Sequence, residues 1–211
     1  MNRLRLAAIA ATFVLSPACA VAQSLGPYTT AQILPVDSRS AGLYLNASTS
    51  TTGLTSQLRL SFYPGIDFGF QGGFTRLEFD DGDKTLLEVG ADLRFGTLKA
   101  SQGAPVDLSL GGGFSIDVGD DYNLLSVGSM AFLSRTFPAG AGSIAPYAVS
   151  GLSFSTASSG GEHRTDVHVP INLGAEYRPN TVFSVAAEVQ MRIANRFRDD
   201  FGFGVGVNVP F

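Results

Sequence analysis

The last twelve residues, Asp200–Phe211, read DFGFGVGVNVPF. Phe201, Phe203, Val205, Val207, Val209 and Phe211 share one parity, and Gly202, Gly204, Gly206, Asn208 and Pro210 share the other. A helix repeats every 3.6 residues and would scatter these two sets around its axis. A strand alternates with period two and gives each set its own face. One face is therefore continuously apolar, while the other carries almost no side chain.

The same alternation recurs upstream. In 66–75, Ile66, Phe68, Phe70 and Phe74 oppose Asp67, Gly69, Gln71, Gly73 and Thr75. In 86–95, Leu87, Val89, Ala91, Leu93 and Phe95 oppose Glu88, Gly90, Asp92 and Arg94. Segments 106–117, 167–177 and 183–193 follow suit, and 40–49 and 54–63 are also strands. Segments 122–136 and 142–155 are strand-like, but their two faces are not cleanly separated. The count is ten strands, with eight as the alternative.

Strand length and face chemistry choose the solvent. A strand that crosses a bilayer needs about 9–11 residues, whereas soluble strands usually run to about 5–6. A soluble sandwich sets charged residues towards water and large apolar residues towards its core. Here the non-apolar face is rich in Gly and Ser with a few charges of both signs, which suits a narrow interior. The unbroken aliphatic and aromatic face suits lipid. The expected fold class is all-β: a closed, antiparallel transmembrane β-barrel, an up-and-down meander over 39–211.

Composition agrees. The 211 residues are 45% hydrophobic and 15% charged, too apolar and too weakly charged for a disordered chain. No run of 18 apolar residues occurs, so a helical membrane bundle is excluded. The formal charge of −4 leaves no basic footprint for nucleic acid.

The N-terminus sets the compartment. Arg3 and Arg5 precede the apolar stretch LAAIAATFVL, and Ala20-Val21-Ala22 supplies small residues for cleavage. Residues 1–22 thus read as a secretory signal peptide. Acylation at Cys19 would want a Leu-like residue where Ser16 stands. Cleavage after Ala22 would leave a chain of 189 residues without Cys and with a formal charge of −6, since Arg3 and Arg5 go with the signal. Such an exported chain needs a stabiliser other than a disulfide. Residues 23–38 have no period and contain Pro27 and Pro35, so an irregular periplasmic lead-in is expected there.

The turns check the strand count. With both barrel ends on the periplasmic side, Tyr63-Pro64-Gly65-Ile66 and Arg178-Pro179-Asn180-Thr181 fall there as compact turns. The opposite side receives NASTSTTG, DDGDK, GDDYN, SSGGEHRTD and NRFRDD. Asp80, Asp81, Asp83, Asp117, Asp120, Asp121, Glu162, Asp166, Asp199 and Asp200 are expected in those outer loops, against Lys84, Arg164, Arg196 and Arg198.

The small-residue cleavage site, the ten alternating strands and the final strand ending in Phe211 resemble a bacterial outer-membrane β-barrel protein. The chain is similar to the small OmpA/OmpX-like, porin-like group. That resemblance implies outer-membrane localisation, contact with outer-membrane lipids and lipopolysaccharide, and biogenesis by the barrel-assembly machinery. It also implies that Phe211, with Val209 and Val207, forms the assembly signal. Two features depart from the group. The chain has no Trp for the interfacial belts, and its outer loops are short for an adhesin or receptor.

Candidate chemistry is sparse. His163 and His168 are the only histidines, and their spacing places them on opposite faces of a regular strand, poor for one metal. Omptin-type proteases use an Asp-His pair, and no Asp-His dipeptide occurs. Barrel lipid A deacylases need a Ser-His arrangement on the lipid face, and His168 points inward. No catalytic residue, metal or cofactor is expected, and a monomer is the default. The enzyme alternative, acting on lipid A or peptides, lacks a nucleophile or base cluster. A second alternative is a surface protein whose acidic loops gather cations at lipopolysaccharide.

The inward charges carry more information. Arg59, Asp67, Glu88, Asp92, Arg94, Asp107, Glu176, Arg178, Glu188 and Arg192 all fall on the Gly/Ser face. Charges in a narrow tube must pair or keep water. They are expected either to hold the barrel's shape as salt bridges or to line a narrow, slightly cation-favouring pore. Arg76 breaks the alternation of its strand. Continued parity sets it at the outer interface, where it could pair with a lipopolysaccharide phosphate. A bulge at Thr75 would instead turn Arg76 inward and put Leu77 on the lipid face.

Overall fold

A computed structural model describes residues 28–48, 51–77, 83–194 and 200–211. The signal segment 1–22, the outer-loop residues Asp80, Asp81 and Asp199, and the side chain of Asp200 lie outside the described part. The strands are β1 (Arg39–Ser48), β2 (Thr51–Tyr63), β3 (Ile66–Leu77), β4 (Lys84–Leu98), β5 (Asp107–Gly119) and β6 (Tyr122–Ser134), followed by β7 (Phe137–Ala139), β8 (Gly142–Ser159), β9 (Glu162–Arg178), β10 (Ser184–Ala194) and β11 (Asp200–Pro210). A single 3-10 turn, Ala100–Gln102, interrupts the β4–β5 connection.

β6 and β7 are two pieces of one barrel strand. Ser134 pairs with Tyr147 and Phe137 with Ile144, one continuous register along β8. Each strand then pairs antiparallel with its neighbour in sequence, and β1 pairs with β11 from Ser40–Pro210 to Ser48–Gly202. The barrel therefore closes with ten strands in an up-and-down meander. Closure removes every sheet edge, so each backbone group in the ladder has a partner inside the protein.

The registers fix the barrel's dimensions. Pairings lead from Ser40 through Arg59, Gly69, Asp92, Gly113, Gly128, Ser153 and His168 to Ala194. Carrying the β10–β11 and β11–β1 registers onward returns to β1 twelve residues beyond Ser40. Ten strands with that stagger tilt by about 40° and enclose a backbone tube of about 10 Å radius. Such a tube is narrow enough for its own side chains to fill.

One end of the tube, here the inner end, carries Arg39, Pro210 and the tight Pro64–Gly65 turn. The outward face is lined by exposed Leu45, Phe70, Phe74, Val89, Phe114, Val127, Phe154, Leu173, Phe203 and others along the strands. The inward face is buried and largely polar, with Thr55, Arg59, Asp67, Ser109, Ser115, Ser126, Ser155 and Glu188 among its members. Thr75 makes no bulge: Arg76 stays outward, and Leu77 is buried within the lumen.

The mixed faces of the sixth and seventh barrel strands have a physical cause. Tyr122, Leu124 and Phe132 of β6 and Ala145, Tyr147 and Val149 of β8 point inward, so both faces there are apolar. Near the outer end Leu77, Leu86, Tyr122, Leu124 and Ala157 form one buried cluster. Deeper, Phe132, Tyr147, Val149 and Ala31 form another. Four acidic residues expected in outer loops fall within strands instead, Glu162 and Asp200 as the first residues of β9 and β11. Asp117 lies in β5 and Asp166 in β9, both buried, because those strands extend further than the turn signals suggest.

The lead-in is irregular, and its stretch from Tyr28 to Leu34 lies inside the barrel rather than outside it, while Pro35, Val36 and Asp37 are exposed. Tyr28 is fully buried, and Thr30 and Ala31 nearly so. From Pro35 a turn, closed by Ser38 N–H donating to Pro35 O at 3.1 Å, hands the chain to β1 at Arg39.

Candidate functional site

The candidate site is the lumen. Alternation turns the ten charged positions Arg59, Asp67, Glu88, Asp92, Arg94, Asp107, Glu176, Arg178, Glu188 and Arg192 inward, and closure brings them onto facing walls. They sort into separate groups rather than one cluster.

Asp67 anchors the group near the inner end. Arg94 Nε donates to its Oδ1 at 2.8 Å and Arg94 Nη2 to its Oδ2 at 2.6 Å. Arg59 Nη1 donates to the same Oδ1 at 3.1 Å. Arg59 also pairs with Asp92, across Gly69 on the strand between them. A Cβ on Gly69 would lie 2.6 Å from Arg59 Nη2, so that bridge requires a bare position. The remaining Arg94 donor goes to Thr30 O at 2.7 Å, and its guanidinium lies over the Phe132 ring at 5.0 Å. Each buried charge in this group is met by an opposite one.

A second group sits at the inner mouth. Arg178 grips Glu176 through two bonds of 3.0 and 2.9 Å and reaches Gln32 Oε1 at 3.3 Å. Gln32 Nε2 donates to Asp107 Oδ2 at 3.1 Å, and Asp107 Oδ1 accepts the Ala100 N–H at 2.8 Å. Glu188, deeper in the tube, has neutral donors: Tyr147 OH at 2.9 Å, Asn172 Nδ2 at 2.7 Å and Gln190 Nε2 at 2.9 Å.

Towards the outer half, Glu88 pairs across the ladder with Asp117, carboxylate beside carboxylate. Thr75 Oγ1 donates to Glu88 Oε2 at 3.4 Å, and the Asp117 oxygens meet no protein donor among the described residues. His168 is buried in the wall, while His163 is exposed at the outer rim. Among the described residues no group of three His, Cys, Asp or Glu side chains could hold a metal.

Arg76 lies outside the tube, its side chain 62% exposed and paired with Asp83 across the β3–β4 hairpin. Val207, Val209 and Phe211 face outward, and Phe211 N–H donates to Arg39 O at 3.1 Å. The last residue thus completes the closing ladder between β11 and β1.

The residues that sequence reasoning missed are those of the lead-in. Tyr28 stacks on Tyr44 with ring centroids 4.2 Å apart and accepts a hydrogen bond from Gln190 Nε2 at 2.8 Å. Its ring lies against Gly204, where a Cβ would sit 2.6 Å from the Tyr28 hydroxyl. Gly204 and Gly206 of DFGFGVGVNVPF are therefore a bed for the Tyr28 and Tyr44 rings. Inward glycines in a tube this narrow were the available signal, since an empty wall must face something that fills it.

Two cavities flank this segment. One of about 120 Å³ runs from Ser48, Thr51 and Gly202 near the outer end down to Arg59, Asp92 and Gln190. The other, about 580 Å³, opens at the inner mouth between the lead-in and the wall, against Arg178, Phe183 and Asn208.

No protein-family model matches the chain, and no curated protein matches it. Solved structures do match. A bacterial polysaccharide outer membrane secretin is 13% identical with a TM-score of 0.50, and the match covers 83% of this chain and 65% of that one. An outer membrane channel from Pseudomonas putida F1 is 11% identical with a TM-score of 0.48, covering 90% and 100%. The N-terminal β-barrel domain of Pseudomonas aeruginosa OprF is 9% identical with a TM-score of 0.37, covering 83% and 98%. The chain has the fold of bacterial outer-membrane β-barrels, here with ten strands.

Proposed function

We propose that the protein is an integral outer-membrane β-barrel that serves as a structural element and a narrow passage for small solutes or ions. The observation that carries this reading is the inverted distribution of polarity. Large apolar side chains are exposed around the whole circumference, while Arg, Asp, Glu and Ser are buried inside. Water as the outer solvent would penalise that belt, and soluble monomers rarely expose so contiguous an apolar surface. Lipid as the outer solvent favours it. In this setting Arg76, at the outer rim, can exchange Asp83 for a lipopolysaccharide phosphate.

Charge along the tube sets the direction of selectivity. Among the described residues the tube holds eight carboxylates, Asp67, Glu88, Asp92, Asp107, Asp117, Asp166, Glu176 and Glu188, against the four guanidiniums of Arg59, Arg94, Arg178 and Arg192. In planar bilayers under a KCl gradient, the refolded protein is expected to give small current steps whose reversal potential lies on the cation side. Reversal on the anion side, or a bilayer that stays silent with and without residues 28–34, counts against the passage.

Phe211 supplies a second test, of assembly. The Phe211 ring is the recognition element that the resemblance implies, and the Phe211 backbone N–H also closes the ladder onto β1. Deleting Phe211 is expected to lower the fraction of heat-modifiable, folded barrel in the membrane several-fold. Unchanged assembly would sink the assignment of Phe211 as the signal.

A further inference from the structure

Tyr28–Leu34 stands between the two lumen cavities. Thr29, Thr30, Gln32 and Leu34 wall the inner one, and Tyr28 sits against Gln190 and Gly204 below the outer one. Arg59 lines both cavities. The segment and the Arg59 side chain, held by Asp67 and Asp92, thus lie between the two cavities.

Its attachment differs from that of the wall. Barrel strands are held on both flanks by backbone ladders. Tyr28–Leu34 is held through side chains of the wall: Ser134 Oγ accepts the Ala31 N–H at 3.0 Å, Asp67 Oδ2 accepts the Leu34 N–H at 3.3 Å, and Arg94 donates to Thr30 O. Removing the segment would break no ladder bond. Its junction with β1 is the turn at Pro35–Ser38, where Asp37 has φ of +61°. Tyr28 has φ of +41°, a left-handed backbone that a bulky side chain adopts only when its surroundings impose it. The docked state therefore holds local strain that release would relieve.

We propose that Tyr28–Leu34 is a gate, docked in the closed state and swinging out at the Pro35–Ser38 turn to join the two cavities into one polar passage. The proposal rests on the passage reading above. Docking is side-chain-specific: the Tyr28 ring needs the bare Gly204 and the Tyr44 face, and the Thr30 carbonyl needs Arg94. Withdrawal exposes Arg94, Asp67 and Gln190 to the lumen and leaves the barrel wall intact.

The test compares three proteins in planar bilayers. The first is the full chain. The second carries Ala31→Cys and Ser134→Cys with Cys19→Ser, a lock placed where the Ala31 amide and the Ser134 hydroxyl already meet. The third lacks residues 28–34, its folding checked by heat-modifiability on gels. The full chain should give brief steps, the oxidised lock should be silent, and dithiothreitol should restore the steps. The deletion should conduct steadily, with an open probability at least tenfold above the full chain's. If the oxidised lock conducts as the full chain does, or the deletion gates as it does, the gate is overturned and the passage stands. If the deletion fails to fold, the lock alone decides. Silence from all three, the reduced lock included, overturns the passage and the gate together.

Discussion

Replacing Asp67 by Leu is expected to lower the barrel's unfolding free energy by about 3–5 kcal/mol, the usual penalty for leaving a buried charge without its partner. Asp67 is 0% exposed and takes both Arg94 and Arg59. Leucine would fill much of the space yet take the shared carboxylate from two guanidiniums in a wall that water reaches poorly. Arg59 can fall back on Asp92, but Arg94 keeps only the Thr30 carbonyl and the Phe132 ring. Asp92→Asn should be milder, because Arg59 then retains Asp67. Urea titration of the refolded protein, followed by tyrosine fluorescence or the gel shift of the folded form, measures both. A loss below about 1 kcal/mol for Asp67→Leu would show that the network is hydrated and contributes little, as exposed pairs do.

That network also marks how far the sequence can be read. The alternation of Phe201 through Phe211, and of Ile66 through Phe74, was legible because lipid and lumen make opposite demands on neighbouring residues. Parity alone then placed Arg59, Asp67 and Arg94 on one face of the wall. It could not say that Asp67 would serve both arginines, since that depends on the stagger between β2, β3 and β4. The alternation blurred where inward positions are themselves apolar, as at Leu124, Phe132, Tyr147 and Val149. Asp117 and Asp166 read as loop residues because charge is a turn signal, but in a polar lumen charge is equally a wall signal. The lead-in was opaque for a different reason. Tyr28–Leu34 belongs to no ladder, so it has no period, and its fit is recorded in scattered glycines that make room for it, Gly204 of β11 against Tyr28 and Gly96 of β4 against Ile33.

Outward charge is the sharpest probe of the solvent around the barrel. Val89 lies near the middle of β4 and is 52% exposed, flanked across the ladder by Gly72 and Ile116. Neither neighbour can pair with a cation. In water, Val89→Arg would be an ordinary surface change, within about 0.5 kcal/mol of neutral. In a bilayer it sets a guanidinium in hydrocarbon and is expected to destabilise the folded barrel by about 2–4 kcal/mol. Phe62→Arg is the companion variant. Phe62 is also exposed and outward, but it lies beside the Pro64–Gly65 turn, at interface depth, where the charge can reach water and should cost about 0–1 kcal/mol. Reversible unfolding from lipid vesicles measures both. A difference of 2 kcal/mol or more between the two sites is the depth dependence that only a membrane imposes. Equal and small effects would mean that the apolar belt faces something other than lipid, and the membrane reading would fall with them.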